Sequence, residues 1–305
     1  MKKKIKIVFF CIIYLFIFVI VLEKTFVKKG LKNHYFYFSN VLSGNKEVKG
    51  EPTQFFFNSK RKKFFSKCPA NAILIATFGQ SNSANYLDYK FKEKSFYEKK
   101  NLIKYQMYNF YDNECYFLSD PVLGATGKAG SMWPTLAYKL NKKLDMPIII
   151  IAGGSGGTSS DQWLDRKYSY MENLKTSIQQ IWYKHRIKPK YFIFHQGETD
   201  GLLNTKKEKY FNNLVSIFTE LNVLNDSYTT ILIFGVSKCE DRESNNEIIY
   251  AQKKLAESFE NVFYIYNTDK LGKNYRGHDN CHFNYNGIEF LTEKITQNIL
   301  TIEKN

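Results

Sequence analysis

The chain has 305 residues, 44% of them hydrophobic, which is enough to bury one sizeable core. Its formal net charge of +15 first suggests nucleic acid or an anionic surface, but the charge is unevenly distributed. Residues 1–67 carry 15 Lys/Arg and three Asp/Glu, whereas residues 68–305 carry 29 and 26. The basic excess belongs to the N-terminal segment, and no basic motif lies on a recognisable nucleic-acid-binding element. We therefore expect no nucleic-acid partner.

The N-terminus has the pattern of a membrane anchor. Three lysines at positions 2–4 precede an uncharged apolar run over residues 7–22, which Ile5 and a snorkelling Lys6 extend to a workable spanning length. No small-residue cleavage site follows, so an uncleaved signal-anchor over residues 1–23 is favoured over a removed signal peptide. We therefore expect a single-pass membrane protein whose C-terminal domain lies outside the cytoplasm, in a periplasmic or extracytoplasmic position.

A connector is predicted to follow the anchor. Residues 24–67 are basic and aromatic and show neither a helical nor a strand period, which is typical of a juxtamembrane segment. Contact with anionic lipid headgroups and a plain solvated linker are equal alternatives for it. The pattern changes at Cys68, where we place the start of a domain that runs to residue 305.

Four cysteines lie outside the apolar run: Cys68, Cys115, Cys239 and Cys281. An even number suits an oxidising compartment, where disulfides persist. Three pairings are possible and the sequence does not choose between them. Buried free thiols are an equal alternative.

The domain from residue 68 onward alternates two kinds of segment. Apolar, strand-like runs occupy residues 72–78, 147–152, 191–194, 230–236 and 262–266. Helix-like stretches occupy residues 131–144, 171–185, 206–221, 246–259 and 286–300, and an irregular strand pair is predicted within 105–118. Fully apolar strands between amphipathic helices predict an α/β fold of the three-layer α/β/α kind, with a mainly parallel sheet covered on both faces.

In open parallel sheets, ligands bind beyond the carboxyl ends of the strands, so the residues that follow each strand are informative. Four such segments are polar or glycine-rich: Gly79-Gln80-Ser81-Asn82, Gly153-Gly154-Ser155-Gly156-Gly157-Thr158, His195-Gln196-Gly197-Glu198-Thr199-Asp200 and Asp279-Asn280-Cys281-His282. They follow the first, second, third and fifth predicted strands. We therefore expect the four segments to converge on one edge of the sheet.

This set meets the requirements of acyl transfer by a serine, which needs a nucleophile, a base, an orienting carboxylate and oxyanion donors. Ser81 directly follows a strand and is the predicted nucleophile. His282 is the predicted base, and Asp279, three residues earlier, is placed to fix its tautomer. The Ser81 N–H, the Gly156 N–H and the Gln196 side-chain amide are predicted to form the oxyanion hole.

Each feature alone also has a purely structural interpretation. A serine after a strand is more often a turn or cap residue, and a glycine cluster fits a tight turn. The pair Asp279/His282 would suit a metal half-site or a surface ion pair, but no second His or Cys cluster at ligand spacing supports a metal. His195 ends a strand and is expected to pack near the site rather than to act as the base. The conjunction of four segments in order favours catalysis, with no metal and no cofactor.

The same residues resemble the sequence blocks of the SGNH hydrolases. G-Q-S-N at residues 79–82, G-G-T at 156–158, Q-G-E at 196–198 and D-x-x-H at 279–282 carry the resemblance. They are most similar to the branch of sialate O-acetylesterases and plant-type acetylxylan esterases, and the resemblance covers residues 70–300. It implies a flavodoxin-like three-layer sheet, a Ser-His-Asp triad, no metal, and removal of O-acetyl groups from sugars.

Position by position, the resemblance assigns the same roles as the residues themselves. Ser81 matches the nucleophile, His282 the base and Asp279 its orienter. Gln196 matches the oxyanion side chain, and Gly156 the first glycine of G-G-T.

Other positions of the matching blocks are less decisive. Four residues are expected to support the site: Gln80, Asn82, Glu198 and Asp200. Gly154 is close enough to Gly156 to compete for its role. Three positions depart from the family pattern: Ser83, His195 and Thr199. These departures do not affect the predicted chemistry, but they make the branch of the family, and therefore the sugar substrate, harder to assign.

The sequence thus predicts a serine esterase that removes O-acetyl groups from a carbohydrate, with an O-acetylated glycan as its substrate and the membrane as its anchor. A glycan O-acetyltransferase with the same triad remains an alternative, as does a lipase or thioesterase of the same superfamily. A glycan-binding module that has lost activity is a further alternative. The sequence does not identify the acetylated sugar.

Overall fold

The computed structural model describes residues 65–98, 101, 103–109, 113–224, 226–239 and 245–304. The predicted signal-anchor over residues 1–23, and the connector up to residue 64, lie outside this range. Within the described ranges, no helix combines the length and apolarity needed to cross a bilayer.

The domain is built on one mixed sheet of eight strands. Along the chain these are β1 (Phe65–Ser66), β2 (Ile73–Gly79), β3 (Tyr105–Asn109), β4 (Glu114–Phe117), β5 (Ile148–Ala152), β6 (Pro189–His195), β7 (Thr230–Gly235) and β8 (Val262–Asn267). Their order in the sheet is β1-β4-β3-β5-β2-β6-β7-β8. The two pairs that involve β4 are antiparallel, and the remaining five pairs are parallel.

Helices connect the parallel strands. They are α1 (Trp133–Leu144), α2 (Ser160–Leu164), α3 (Tyr170–His185), α4 (Glu198–Leu202), α5 (Lys207–Glu220), α6 (Asn246–Ser258) and α7 (Tyr285–Ile302). Since successive strand residues point to opposite faces, each face of the sheet contributes to its own core. Leu136 of α1 and Ile295 of α7 belong to one core, whereas Leu174 of α3, Phe218 of α5 and Leu255 of α6 belong to the other.

The predicted elements are present, with ends shifted by one or two residues. The irregular strand pair expected within residues 105–118 is the antiparallel pair β3–β4. Residues 65 and 66, within the segment predicted to be a connector, form β1, because their backbones pair with Tyr116 and Cys115 of β4. A two-residue edge strand has no period of its own, so pairing with β4 is what defines it.

The sheet brings three of the four predicted segments to one edge. Thr77 of β2 pairs with Ala152 of β5, and Gly79 of β2 pairs with His195 of β6. Because the three strands are parallel neighbours in register, they leave the sheet side by side. The segments that begin at Gly79, Gly153 and Gln196 therefore start together, as expected.

The structure also selects one cysteine pairing. Cys68 forms a disulfide with Cys115, and Cys239 forms a disulfide with Cys281. The first joins the residues before β2 to β4 at the edge of the sheet. The second joins the segment after β7 to the segment that holds Asp279 and His282.

Candidate active site

Ser81 begins a single 3₁₀ turn, Ser81–Ser83, directly after β2. Two features of the backbone place it there. Gly79 has a φ of +128°, and a Cβ at this position would collide with the carbonyl group of His195. Glycine is therefore required for β2 to turn out of the sheet beside β6. Gln80 continues the pairing by donating its N–H to the His195 carbonyl at 3.0 Å.

Asp279 and His282 form a close pair. Asp279 Oδ2 and His282 Nδ1 lie 2.5 Å apart, and the other oxygen, Oδ1, accepts the backbone N–H groups of Cys281 and His282 at 3.0 Å each. Burial raises the pKa of the Asp279 carboxyl, but these hydrogen bonds outweigh it and hold the pKa below its usual range. The carboxylate is thus kept ionised against one ring nitrogen. That leaves Nε2 as the nitrogen available for chemistry.

The segment after Ser81 runs along the loop that carries His282. The Tyr86 ring stacks on the imidazole of His282, with centroids 5.7 Å apart and planes at 22°. Two residues further on, the Asp88 N–H donates to the carbonyl of Phe283 at 2.9 Å. These contacts bring the segment from the end of β2 and the Asp279/His282 loop, 200 residues apart in the chain, to the same place.

Two of the three predicted oxyanion donors already have partners. The Gly156 N–H donates to Thr126 Oγ1 at 2.8 Å. The Gln196 amide donates to the Thr158 carbonyl at 3.0 Å and to Asp200 Oδ2 at 2.5 Å, and Gln196 is fully buried. Either group would have to give up these bonds to stabilise an oxyanion. Within the described residues, the Ser81 N–H makes no hydrogen bond and is the donor left open.

The predicted supporting residues connect the strand ends. Gln80 Oε1 accepts the N–H groups of Gly197 at 3.4 Å and of Thr199 at 3.1 Å. Asn82 Nδ2 donates to Glu198 Oε1 at 3.1 Å, which adds a second link between the ends of β2 and β6. Together these three bonds fix the turn that carries Ser81 against the start of α4.

Asp200 makes the matching link to the segment after β5. Its carboxylate accepts the backbone N–H of Ser160 at 2.8 Å and the Ser160 hydroxyl at 2.7 Å. Because Asp200 also holds Gln196, the role of Gln196 in this structure is to connect loops. Hydrogen bonds from the side chains of Gln80, Asn82 and Asp200 thus link the three strand ends.

Buried titratable groups lie directly behind the site. Burial raises the pKa of Glu198 to about 7, even though its bond from Asn82 acts in the opposite direction. Burial and the nearby Arg276 guanidinium lower the pKa of His195 to about 3, so its imidazole is neutral at pH 7. His195 Nε2 lies 3.3 Å from Thr268 Oγ1, and the ring stacks on Phe283. His195 thus packs beneath the site, as the sequence predicted.

Arg276 supports the Asp279/His282 loop through buried hydrogen bonds, and no sequence motif indicated this role. It is 4% exposed and donates to Ser237 Oγ at 2.7 Å, to the carbonyl of Cys281 at 2.9 Å and to that of Thr268 at 3.2 Å. A lone arginine in a loop has many surface roles, so only the fold reveals this one. The role of Tyr86 likewise depends on a contact with His282, far along the chain, and so has no local sequence signal.

The comparison with protein families agrees with this arrangement. Residues 74–301 match the family model described as carbohydrate esterase, sialic acid-specific acetylesterase. The chain belongs to this family. The predicted SGNH-type family and the predicted carboxylic ester hydrolase acting on carbohydrates are thereby confirmed. No curated protein matches the chain by sequence.

Solved structures are similar in fold. A protein from Arabidopsis thaliana is 18% identical with a TM-score of 0.60, and the alignment covers 76% of this chain and 98% of that one. The protein NanS is 12% identical with a TM-score of 0.51, with 78% and 99% covered. At these identities the likeness is one of fold.

The Cys239–Cys281 disulfide leads to a first prediction. Cys281 lies between Asp279 and His282, so the bond to Cys239 restrains the loop that carries both residues. We expect Cys239→Ser/Cys281→Ser to lower kcat for an acetyl ester about tenfold, because a more mobile imidazole spends less time in the reactive geometry. Turnover of 4-nitrophenyl acetate measures the effect.

The second disulfide provides the matched control. Cys68→Ser/Cys115→Ser also removes one disulfide but lies at the edge of the sheet away from His282. It is expected to lower the melting temperature while kcat at 25 °C stays the same. Equal loss of kcat in both double variants would contradict a specific effect on the loop.

Glu198 leads to a second prediction, on pH. Its pKa is about 7 in the folded chain and near 4.5 when unfolded, so between these values the folded state binds the extra proton. The contribution of this group to the free energy of unfolding is therefore largest below about pH 4.5 and falls as pH rises towards 7. Glu198→Gln removes the dependence, because an amide does not titrate.

Urea unfolding of both proteins at pH 5, 6 and 7 measures the difference. We expect the wild type to lose stability relative to Glu198→Gln as pH rises over this range, because the folded Glu198 then gives up its proton. A difference that stays constant with pH would show that Glu198 is ionised throughout.

Proposed function

We propose that the chain hydrolyses O-acetyl esters of a carbohydrate, with Ser81 as nucleophile, His282 as general base and Asp279 as its orienter. The observation that carries this proposal is the 2.5 Å contact between Asp279 and the His282 Nδ1, on a loop that packs against the segment following Ser81. A carboxylate that holds one imidazole nitrogen is the orienting half of a serine triad. The contacts of Tyr86 and Asp88 with the loop bring it to the segment that follows Ser81, which supports Ser81 as the nucleophile.

The reaction proceeds in two halves. His282 Nε2 takes the proton of the Ser81 hydroxyl while the oxygen attacks the acetyl carbonyl carbon. The tetrahedral intermediate collapses, the bond to the sugar oxygen breaks, and that oxygen leaves with the His282 proton. Water, deprotonated by the same imidazole, then attacks the acetyl-Ser81 ester. The bond between Ser81 Oγ and the acetyl carbon breaks, acetate leaves, and Ser81 Oγ takes the proton back from His282.

The oxyanion is stabilised first by the Ser81 N–H, since this donor makes no other hydrogen bond among the described residues. The Gly156 N–H contributes when it turns from Thr126 Oγ1 to the substrate oxygen. Gln196 contributes only if its amide leaves Thr158 or Asp200. We therefore assign Gln196 mainly to holding the loops, and the first two donors to the intermediate.

Support for an acetylated sugar as substrate comes from the family. Its description names carbohydrate esterases and sialic acid-specific acetylesterases. O-acetylated sialic acid is therefore the first substrate to test, followed by acetylated xylan, peptidoglycan and bacterial surface glycans.

The prediction for the nucleophile is direct. The Ser81→Ala variant should keep its fold, and its turnover rate should fall at least about 10⁴-fold, as expected when the nucleophile of a triad is removed. Acetate release from the panel of O-acetylated glycans measures the rate, and circular dichroism checks the fold. Ser83→Ala, in the same turn, is the control and should retain much more activity. Full activity of Ser81→Ala would refute the mechanism.

We further propose that residues 1–23 anchor the enzyme in a membrane, with the catalytic domain outside the cytoplasm. The uncharged apolar run over residues 7–22 supports the anchor. The disulfides Cys68–Cys115 and Cys239–Cys281 support the location, because such bonds persist in oxidising compartments.

The full-length chain is expected to stay in the membrane pellet after an alkaline carbonate wash of cells that express it. Two charges placed in the apolar run, Leu15→Arg and Phe18→Arg, should release it, because each costs about 2.5–3.5 kcal/mol at the centre of a spanning helix. Protease added outside the cytoplasmic membrane should cleave the domain. A wild-type chain that is washed off, or protected from that protease, would contradict the proposal.

A further inference from the structure

The mechanism constrains where the leaving sugar lies, and the inference below rests on the proposed function. His282 returns a proton to the sugar oxygen, so that oxygen must come within hydrogen-bonding distance of Nε2, about 3 Å. A hexose ring is only a few ångströms wide. The groups that contact the sugar must therefore flank the His282 loop.

The segment after Ser81 provides one flank. Its residues alternate: Asn85 and Leu87 are 0% and 1% exposed, whereas Tyr86 is partly exposed and Asp88 is exposed. Isolated bridges from Asn85 to Gly127 and from Leu87 to Gly130 hold the segment extended. In extended backbone, alternate side chains share a face, so Tyr86 and Asp88 point outward on the same side.

The His282 loop packs tightly against this outer face. The Tyr86 ring covers one face of the imidazole, and the Asp88 N–H binds the Phe283 carbonyl. A Cβ on Gly277 would lie 2.6 Å from the Cβ of Asp88, so the backbone of the loop approaches Asp88 as closely as glycine permits. Asp88 therefore has a fixed position beside the catalytic loop.

Asp88 faces His278 of the same loop across the protein surface. Asp88 Oδ2 and His278 Nδ1 lie 3.5 Å apart, and the side chains are 49% and 87% exposed. A pair this long and this exposed contributes little to stability. The Asp88 carboxylate accepts hydrogen bonds, and the His278 imidazole both donates and accepts them. Binding of sugar hydroxyls requires both kinds of group.

We propose that Asp88, His278 and the exposed edge of Tyr86 form the subsite that binds the leaving sugar. Asp88 accepts hydrogen bonds from ring hydroxyls, His278 exchanges its weak contact with Asp88 for a hydroxyl, and Tyr86 packs against the ring while it supports the imidazole. The subsite recognises a polyhydroxylated leaving group and makes no contact with a small aryl alcohol that lacks hydroxyl groups.

Two substrates separate this role from catalysis. Asp88→Ala and His278→Ala are each expected to raise KM about tenfold for the O-acetylated sugar of the panel that the wild type hydrolyses fastest. This is the size expected for one lost hydrogen bond to a charged or polar partner. For 4-nitrophenyl acetate, KM and kcat should stay within twofold of the wild type. Asp88→Asn keeps an acceptor and should recover most of the affinity.

The pair Lys175–Glu220, on α3 and α5, provides the control variant. Its nitrogen and oxygen are also 3.5 Å apart and its side chains are partly exposed. Glu220→Ala should change KM for neither substrate, because α3 and α5 pack on the sheet and take no part in the His282 loop.

Three results would overturn the inference. If KM for the sugar is unchanged in both variants, Asp88 and His278 form a surface ion pair that does not contact the sugar. Equal losses for both substrates would indicate a disturbed His282 loop rather than a sugar contact. A wild type that cleaves 4-nitrophenyl acetate but no acetylated sugar would remove the subsite and leave the Ser81 chemistry standing. A wild type inactive on every ester would instead refute the proposed function itself.

Discussion

At Gly79 the backbone of β2 passes so close to the carbonyl of His195 on β6 that no side chain fits between them. This close approach sets the level at which two parallel strands leave the sheet. The turn that carries Ser81 begins one residue later, and the segment with Gln196 and Glu198 begins on the neighbouring strand. The segments that follow β2 and β6 in the candidate site therefore start side by side. A larger residue at position 79 would separate the two strand ends and, with them, the hydrogen bonds that Gln80 and Asn82 make to the second segment.

Hydrogen bonds from polar side chains fix the relative positions of the loops at this edge of the sheet. Gln80, Asn82 and Asp200 join the segments after β2, β5 and β6 through hydrogen bonds between 2.7 and 3.4 Å long. These bonds are shielded from water, so each is expensive to leave unsatisfied. The arrangement also explains why Gln196 is better described as a connector in this structure than as a free oxyanion donor.

The fourth segment is attached by different means. The loop of Asp279 and His282 follows no strand that neighbours β2, since β8 lies at the far edge of the sheet. Arg276 donates a hydrogen bond to the Cys281 carbonyl of the loop, and a disulfide joins Cys281 to Cys239. The segment with Tyr86 and Asp88 packs against the loop, where the Tyr86 ring stacks on His282. The imidazole is therefore restrained by contacts from three directions. The same packing brings Asp88 and His278 together beside the loop that carries His282.

The sequence alone determined the alternation of apolar strands with amphipathic helices, because burial on both faces of a parallel sheet leaves a pattern that is visible residue by residue. It also predicted the residues that we propose for the reaction, Ser81, Asp279 and His282, because polar motifs that follow parallel strands lie at one edge of the sheet. Only the tertiary structure decided the strand order, the two cysteine pairings and the partners of Gly156 and Gln196. It alone brought Tyr86, Arg276 and the pair Asp88–His278 to the site. These features depend on contacts between residues far apart in the chain, and such contacts have no local period or spacing from which a sequence could reveal them.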